Sequence, residues 1–355
     1  MSKHPISRRT ALAGAGAAVA SLPFAARVVA QAPAAEAITP ALIEAAKKEG
    51  RINFYSAMDL SVAEPYARAF EAKFPGITVK VERSGSERVF SRIAQEYSSK
   101  IHNVDLVNTT DAAHVHAWKK DGLLAPYVPA DVAEHFAAAY KDKDGMFAVV
   151  RILFVAIAYN TDLVKKEDAP KGFLDLLDPK WHGKMVKAHP GYSGAIMTAT
   201  FAQARDLGWG YFEKLAKQKV MQVQSAVDPP KKIALGERAV MADGGDYNVI
   251  QHKDKGAPVE LVYPVEGAPI INSPNCIFKA APNPNAARLF QGWFCSGEGQ
   301  QKLVDISAQY APHAKAVIKP GRPALADIKI MKDDPEALLK VADEIKAKYT
   351  AIFKV

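Results

Sequence analysis

Arg51-Ile-Asn-Phe-Tyr-Ser56, Ile77-Thr-Val-Lys-Val81 and Val104-Asp-Leu-Val-Asn108 are three short apolar runs separated by stretches of helical periodicity, and their alternation decides the fold. Between the first two, Ser61-Val-Ala-Glu64 reads as a capping box. Val62, Tyr66, Phe70 and Phe74 recur at four-residue spacing behind it, until Pro75-Gly76 stops the helix. Ser84-Gly85-Ser86 then turns into a helix carrying Val89, Phe90, Ile93 and Tyr97, and Thr109-Thr110-Asp111 opens another that ends at Asp121-Gly122. A βαβαβ run of this kind predicts an α/β protein with a parallel sheet wound by helices. Ligands bind such sheets outside the carboxyl ends of the strands.

Upstream, Thr39-Pro40 starts a helix that stops at Gly50. Downstream, strand-like sequence from Met146 to Tyr159 leads into Asn160-Thr161-Asp162 and a neighbourhood with its own turns at Asp178-Pro179, His189-Pro190-Gly191 and Asp228-Pro229-Pro230. The segment from Glu266 to Asn275 is apolar and turn-rich, and helices resume after Pro284. The pattern fits two lobes with the chain crossing between them more than once, a count that periodicity does not set; the expected bounds are 37–157 for the first part of lobe 1, 158–264 for lobe 2, and 265–355 for a return to lobe 1 with C-terminal helices.

The charge count narrows the function classes. The 355 residues hold 46 Lys+Arg against 38 Asp+Glu, a net of +8. Four of the cations, Lys3, Arg8, Arg9 and Arg27, flank an Ala-rich run from Ala11 to Ala26 that ends in the small residues Val28-Val29-Ala30. This is the layout of a secretory signal over residues 1–30, and the Arg8-Arg9 pair is similar to a twin-arginine signal. Without those four the remainder carries 42 basic and 38 acidic residues, a net of +4. The cations left are dispersed among acids, so no basic stripe points to nucleic acid. Cys276 and Cys295 have no metal-ligand spacing, and their simplest reading is two buried small hydrophobes, with a disulfide as the alternative.

The chain resembles the extracellular solute-binding proteins of ABC importers, in the branch related to ferric-iron-, thiamine-, phosphonate- and organic-anion-binding receptors. The resemblance rests on Glu49–Ser56, Phe74–Val79, Ala158-Tyr-Asn-Thr-Asp162, Asp175–Lys184, Pro190–Gly194, Pro264–Ser273 and the helix Asn285–Phe294 with Ser296–Gln301. It implies a type II periplasmic-binding-protein fold, two α/β lobes joined by a hinge near 155–160 and 265–275 with the ligand cleft between them. It also implies a periplasmic, monomeric receptor that is not an enzyme and that delivers a small solute to an inner-membrane ABC permease.

Turns from a strand's end to a helix's start offer free N–H groups and the positive end of the helix dipole, which suits anions. Ser56, Ser84, Ser86 and Thr110 occupy such turns in lobe 1, and Ser193-Gly194 does so in lobe 2; each hydroxyl can equally serve as an ordinary helix cap. Arg151 stands in the apolar run Ala148–Val155, where a buried charge requires either a structural acid or a ligand anion. The resemblance places Tyr247 among the ligand contacts. Ferric-binding relatives present two adjacent tyrosines there, whereas Asn248 follows Tyr247 in this chain. The expected ligand is therefore a small anionic solute without a cofactor. The alternative is Fe(III) held by Tyr247 and Asp243 with a synergistic anion. His114 and His116, two apart on a helix, face different ways and do not read as a metal pair. A secreted enzyme is the rival of a different class, and no P-loop, dinucleotide fingerprint or nucleophile elbow supports it.

Overall fold

The computed structural model describes residues 32–355, so the signal reading of residues 1–30 lies outside the described residues. Twelve strands run in chain order among them. They are β1 (Arg51–Ser56), β2 (Thr78–Arg83), β3 (Leu106–Asn108), β4 (Leu124–Ala125), β5 (Ala148–Phe154), β6 (Ile157–Asn160), β7 (Met185–Ala188), β8 (Met221–Val223), β9 (Val240–Met241), β10 (Val259–Val262), β11 (Ala268–Phe278) and β12 (Ile330–Met331). They form two sheets. One has the order β12-β11-β3-β1-β2 with β4 and β5 also on β11, and the other has the order β10-β6-β9-β7-β8.

Both sheets are built on one plan. β1 is flanked in parallel by β2 and β3, and β7 is flanked in parallel by β8 and β9. An antiparallel strand then follows each trio, β11 beside β3 and β6 beside β9. The trio β2-β1-β3 matches the βαβαβ reading. The antiparallel neighbours come from distant sequence and leave no local periodicity to read. The chain leaves the first sheet between β5 and β6, at Val155-Ala156, and re-enters it between β10 and β11.

The helix after β1 spans Leu60–Lys73 and buries Val62, Tyr66 and Phe70 against Phe290, Trp293 and Phe294 of the helix Pro284–Cys295. Its cap differs from the capping box read at Ser61: Asp59 is the N-cap and accepts from the Ser61 N–H at 2.8 Å, so the helix starts one residue before Ser61. Cys276 and Cys295 are free thiols in separate packing clusters, and burial pushes both thiols up. The last helix, Pro335–Phe353, packs Tyr349 and Phe353 into the second sheet's core beside Phe212, and sets Leu338 and Ile345 against Ala113 and Met197. No helix among the described residues is long and apolar enough to cross a membrane.

Candidate functional site

The carboxyl ends of the two parallel trios face one another. Arg83, which ends β2, donates to Ser225 Oγ beyond β8 at 3.0 Å, and Arg88 donates to Gln224 while lying 4.8 Å over the Tyr192 ring. Two glycines permit this approach. A Cβ at Gly194 would stand 2.8 Å from the Cβ atoms of both Asp111 and Ser86, and one at Gly85 would fall on the Tyr192 carbonyl oxygen. Gly85 has φ −63°, ordinary for any residue, so space and not backbone conformation demands glycine there. Gly85→Ala should therefore fold normally yet hold the two trios apart. Its apparent affinity for the solute is expected to fall about tenfold or more, measured by calorimetry beside an unchanged melting temperature.

The hydroxyls read from the sequence lie at this junction and are already engaged locally. Ser56 Oγ accepts from the Met58 N–H at 3.1 Å. Ser86 Oγ and Thr110 Oγ1 share a hydrogen bond of 2.9 Å, and Ser86 Oγ also accepts from the Thr110 N–H. Ser193 caps the helix Gly194–Leu207 through Ile196 N–H. Ser84 is half-buried beside them, its N–H donating to the Ser56 carbonyl.

Arg151 is different. It is 1% exposed in the middle of β5, and no acid pairs with it among the described residues. Its Nε donates to Asn108 Oδ1 at 3.0 Å and its Nη1 to Gln309 Oε1 at 3.4 Å, while Nη2 has no partner. Burial pulls the guanidinium down to about 10, only partly offset by the nearby Tyr247 phenol. Tyr247 is itself buried, and burial raises its phenol against the opposing influence of Arg151. The salt bridge weighed for Arg151 is not formed.

Asp243 stands apart from this pair. Its Oδ2 lies 2.8 Å from Lys187 Nζ, and its Oδ1 accepts from the Ala188 N–H at 2.9 Å. Lys187 Nζ also reaches Tyr349 Oη at 2.8 Å, so the ion pair ties β7 to the last helix. Asp246 is likewise engaged. It accepts from the N–H groups of Phe154 and Tyr247, from Tyr263 Oη at 3.2 Å, and pairs with Arg322.

One cluster escaped the sequence reading because it is assembled from distant positions. His114 Nε2 lies 3.0 Å from Glu87 Oε1 and 3.7 Å from Asp111 Oδ2, its Nδ1 is 3.0 Å from Thr109 Oγ1, and Lys346 of the last helix reaches Glu87 Oε2 at 2.7 Å. Burial pushes the Asp111 carboxyl up to about 6 against the opposing charge of His114. Burial alone would lower His114, but Asp111 and Glu87 override it and hold the imidazole above its usual range. Burial alone would raise Glu87, but His114 and Lys346 pull it below its usual range. A raised Asp and a raised His both stabilise the fold at low pH and lose that contribution as pH rises through their folded values; the lowered Glu87 acts only at more acid pH. The Asp111 contribution is spent by about pH 6, so the melting temperature should drop further as pH rises above about 6.5, where His114 loses its proton, and this drop should be shallower in His114→Gln. Equal slopes would show that this cluster does not couple to folding.

Asn108 and Gln309, which bond Arg151, and Asn275, which bonds Asn108, also went unread. Asn108 and Asn275 gave the same signal as Arg151, a polar residue in an apolar strand, whereas Gln309 in a loop gave none. A surface cavity of about 810 Å³ lies elsewhere, lined by Tyr159, Val164, Pro170, Leu261 and Val265 along the outer strand β10, and contains none of these donors.

A family model described as bacterial extracellular solute-binding protein matches residues 65–338. Among solved structures, the periplasmic binding protein AfuA from Actinobacillus pleuropneumoniae, with exogenous fructose-6-phosphate bound, is similar at a TM-score of 0.78 and 25% identity, covering 86% of this chain and 99% of that one. Iron-bound HitA from Pseudomonas aeruginosa has a TM-score of 0.72 at 24% identity, with 85% and 99% covered. A probable ABC transporter periplasmic-binding protein of Sinorhizobium fredii is 23% identical over 278 residues, 75% of this chain and 76% of its own length.

Proposed function

The chain belongs to the bacterial extracellular solute-binding protein family, and on that premise we propose that it is the periplasmic receptor of an ABC importer, capturing a small anionic solute between its lobes and delivering it to the permease as a monomer. The single observation that carries the anion is Arg151, a fully buried cation whose neighbours are amides and a phenol and whose Nη2 has no partner. Leaving a charge in that state costs several kcal/mol, and an incoming oxyanion removes the cost while gaining a charge-assisted hydrogen bond. The solved neighbour at 25% identity carries a phosphate ester, which agrees with this class of ligand.

Capture follows from the two facing trios. A solute that touches Arg151 and Tyr247 together with the turns around Ser84 and Ser193 makes more contacts when the trios are close, and this differential is what shifts the population toward closure. The free N–H groups at the start of the helix Gly194–Leu207 add to the positive potential there. Fe(III) fits less well, because Asp243 is tied to Lys187 and Ala188 while Asn248 stands where a second phenolate is needed. The test is a thermal-shift screen with organic acids, sulfonates, phosphonates, sugar phosphates, amino acids and Fe(III), since a ligand of the folded state raises the melting temperature. The reading requires the hits to be anions; hits confined to neutral solutes or to Fe(III) would end it.

A further inference from the structure

The amides around Arg151 are oriented by it, and their orientation says what they bind. A guanidinium has donors only, so any amide that meets it must turn its oxygen toward it. Asn108 does so with Oδ1, which leaves Asn108 Nδ2 to donate to Asn275 Oδ1 at 2.8 Å. Asn275 has thereby engaged its oxygen, and its Nδ2 has no partner among the described residues. Gln309 meets Arg151 Nη1 with Oε1, and its Nε2 is likewise without a partner. Arg151 Nη2 is the third such group. All three belong to side chains no more than 1% exposed. Other buried polar atoms among the described residues also lack partners, but these three donors are linked through one cation by the hydrogen bonds of Asn108 and Gln309.

We infer that Asn275 and Gln309 complete the anion site with Arg151, and that the group they receive is acceptor-only: a fully ionised oxyanion such as a carboxylate, sulfonate or phosphoryl group. The inference rests on the reading of Arg151 as the anion contact and extends it to the protonation state of the ligand. A P–OH or a protonated carboxyl brings a donor of its own to a site that offers donors, and is disfavoured for that reason.

The test replaces one donor by an acceptor of the same shape. In Gln309→Glu and Asn275→Asp the missing negative charge is supplied by the protein. Without added solute, Gln309→Glu should melt about 2 °C or more above the wild type, whereas Gln309→Met, which removes the acceptor of Arg151 Nη1, should melt below it. With the anions of the screen, Gln309→Glu and Asn275→Asp should bind at least about tenfold more weakly than the wild type. If Gln309→Glu melts below the wild type, or keeps the full anion-induced shift while the wild type also shows it, the donor-only site is refuted and the Arg151 reading stands. A wild type that no anion stabilises overturns both.

Discussion

Arg151→Ala is expected to weaken binding of the anionic solute by about 2–5 kcal/mol, a loss between roughly 30-fold and a few thousand-fold. The size follows from burial: inside β5 the guanidinium is shielded from bulk solvent and has no carboxylate partner among the described residues, so a bound oxyanion meets a desolvated charge. The sign of the effect on stability separates this role from a structural one. Breaking a buried ion pair costs about 3–5 kcal/mol because it strands the partner charge, but Arg151 has no such partner to strand. Removing it takes away a cation that burial already disfavours, at the expense of its two hydrogen bonds to Asn108 and Gln309. The melting temperature without solute should therefore change far less than the affinity. Unchanged affinity in calorimetry would show that the anion binds elsewhere.

The opposite behaviour is expected of Asp246→Ala, which should lower stability by about 3–5 kcal/mol, a fall in melting temperature on the order of 10 °C. Asp246 and Arg322 are both buried, and the carboxylate also accepts from Phe154 N–H at 3.1 Å and from Tyr263 Oη. Phe154 is the last residue of β5 and Tyr263 follows β10, so one carboxylate ties together both places where the chain passes between the sheets. Arg322, lying 3.9 Å over the Tyr310 ring, is held well above its usual range, with the Asp246 charge outweighing the effect of burial. Once Asp246 is gone that cation is buried and unpaired. A variant with wild-type stability would mean that Arg322 finds another acceptor, for which the Ala308 carbonyl it already touches is the first candidate.

These two arginines also show how far the sequence could be read. A lone cation in the apolar run Ala148–Val155 is visible without a structure, because the cost of burying a charge makes it anomalous in any fold. Arg322 sits in a Pro/Gly-rich loop, Lys319-Pro-Gly-Arg-Pro323, where an arginine is unremarkable, and only the path of the chain past Asp246 makes it a buried partner. The parallel trio β2-β1-β3 was legible from alternation and turn signals, whereas the pairing of β11 between β3 and β5 joins residues more than a hundred positions apart, beyond what local periodicity encodes. The serines and threonines at strand ends lie near the junction because of their position in the turns. What their side chains do could not be read, since capping and ligand contact draw on the same residue types. In the Glu87, Asp111, His114 and Lys346 cluster only Asp111, the N-cap, and His114 share a helix, at i,i+3 spacing; Glu87 and Lys346 come from separate elements, which no local spacing announces.

A crystal structure with the strongest anionic hit from the thermal-shift screen shows directly where the anion sits. An oxyanion is expected between the two facing sheets, within hydrogen-bond distance of Arg151 Nη2 and of the free amide nitrogens of Asn275 and Gln309. A hit bound elsewhere, with Arg151 Nη2 still bare or paired to a protein carboxylate, would rule out Arg151 as the anion contact.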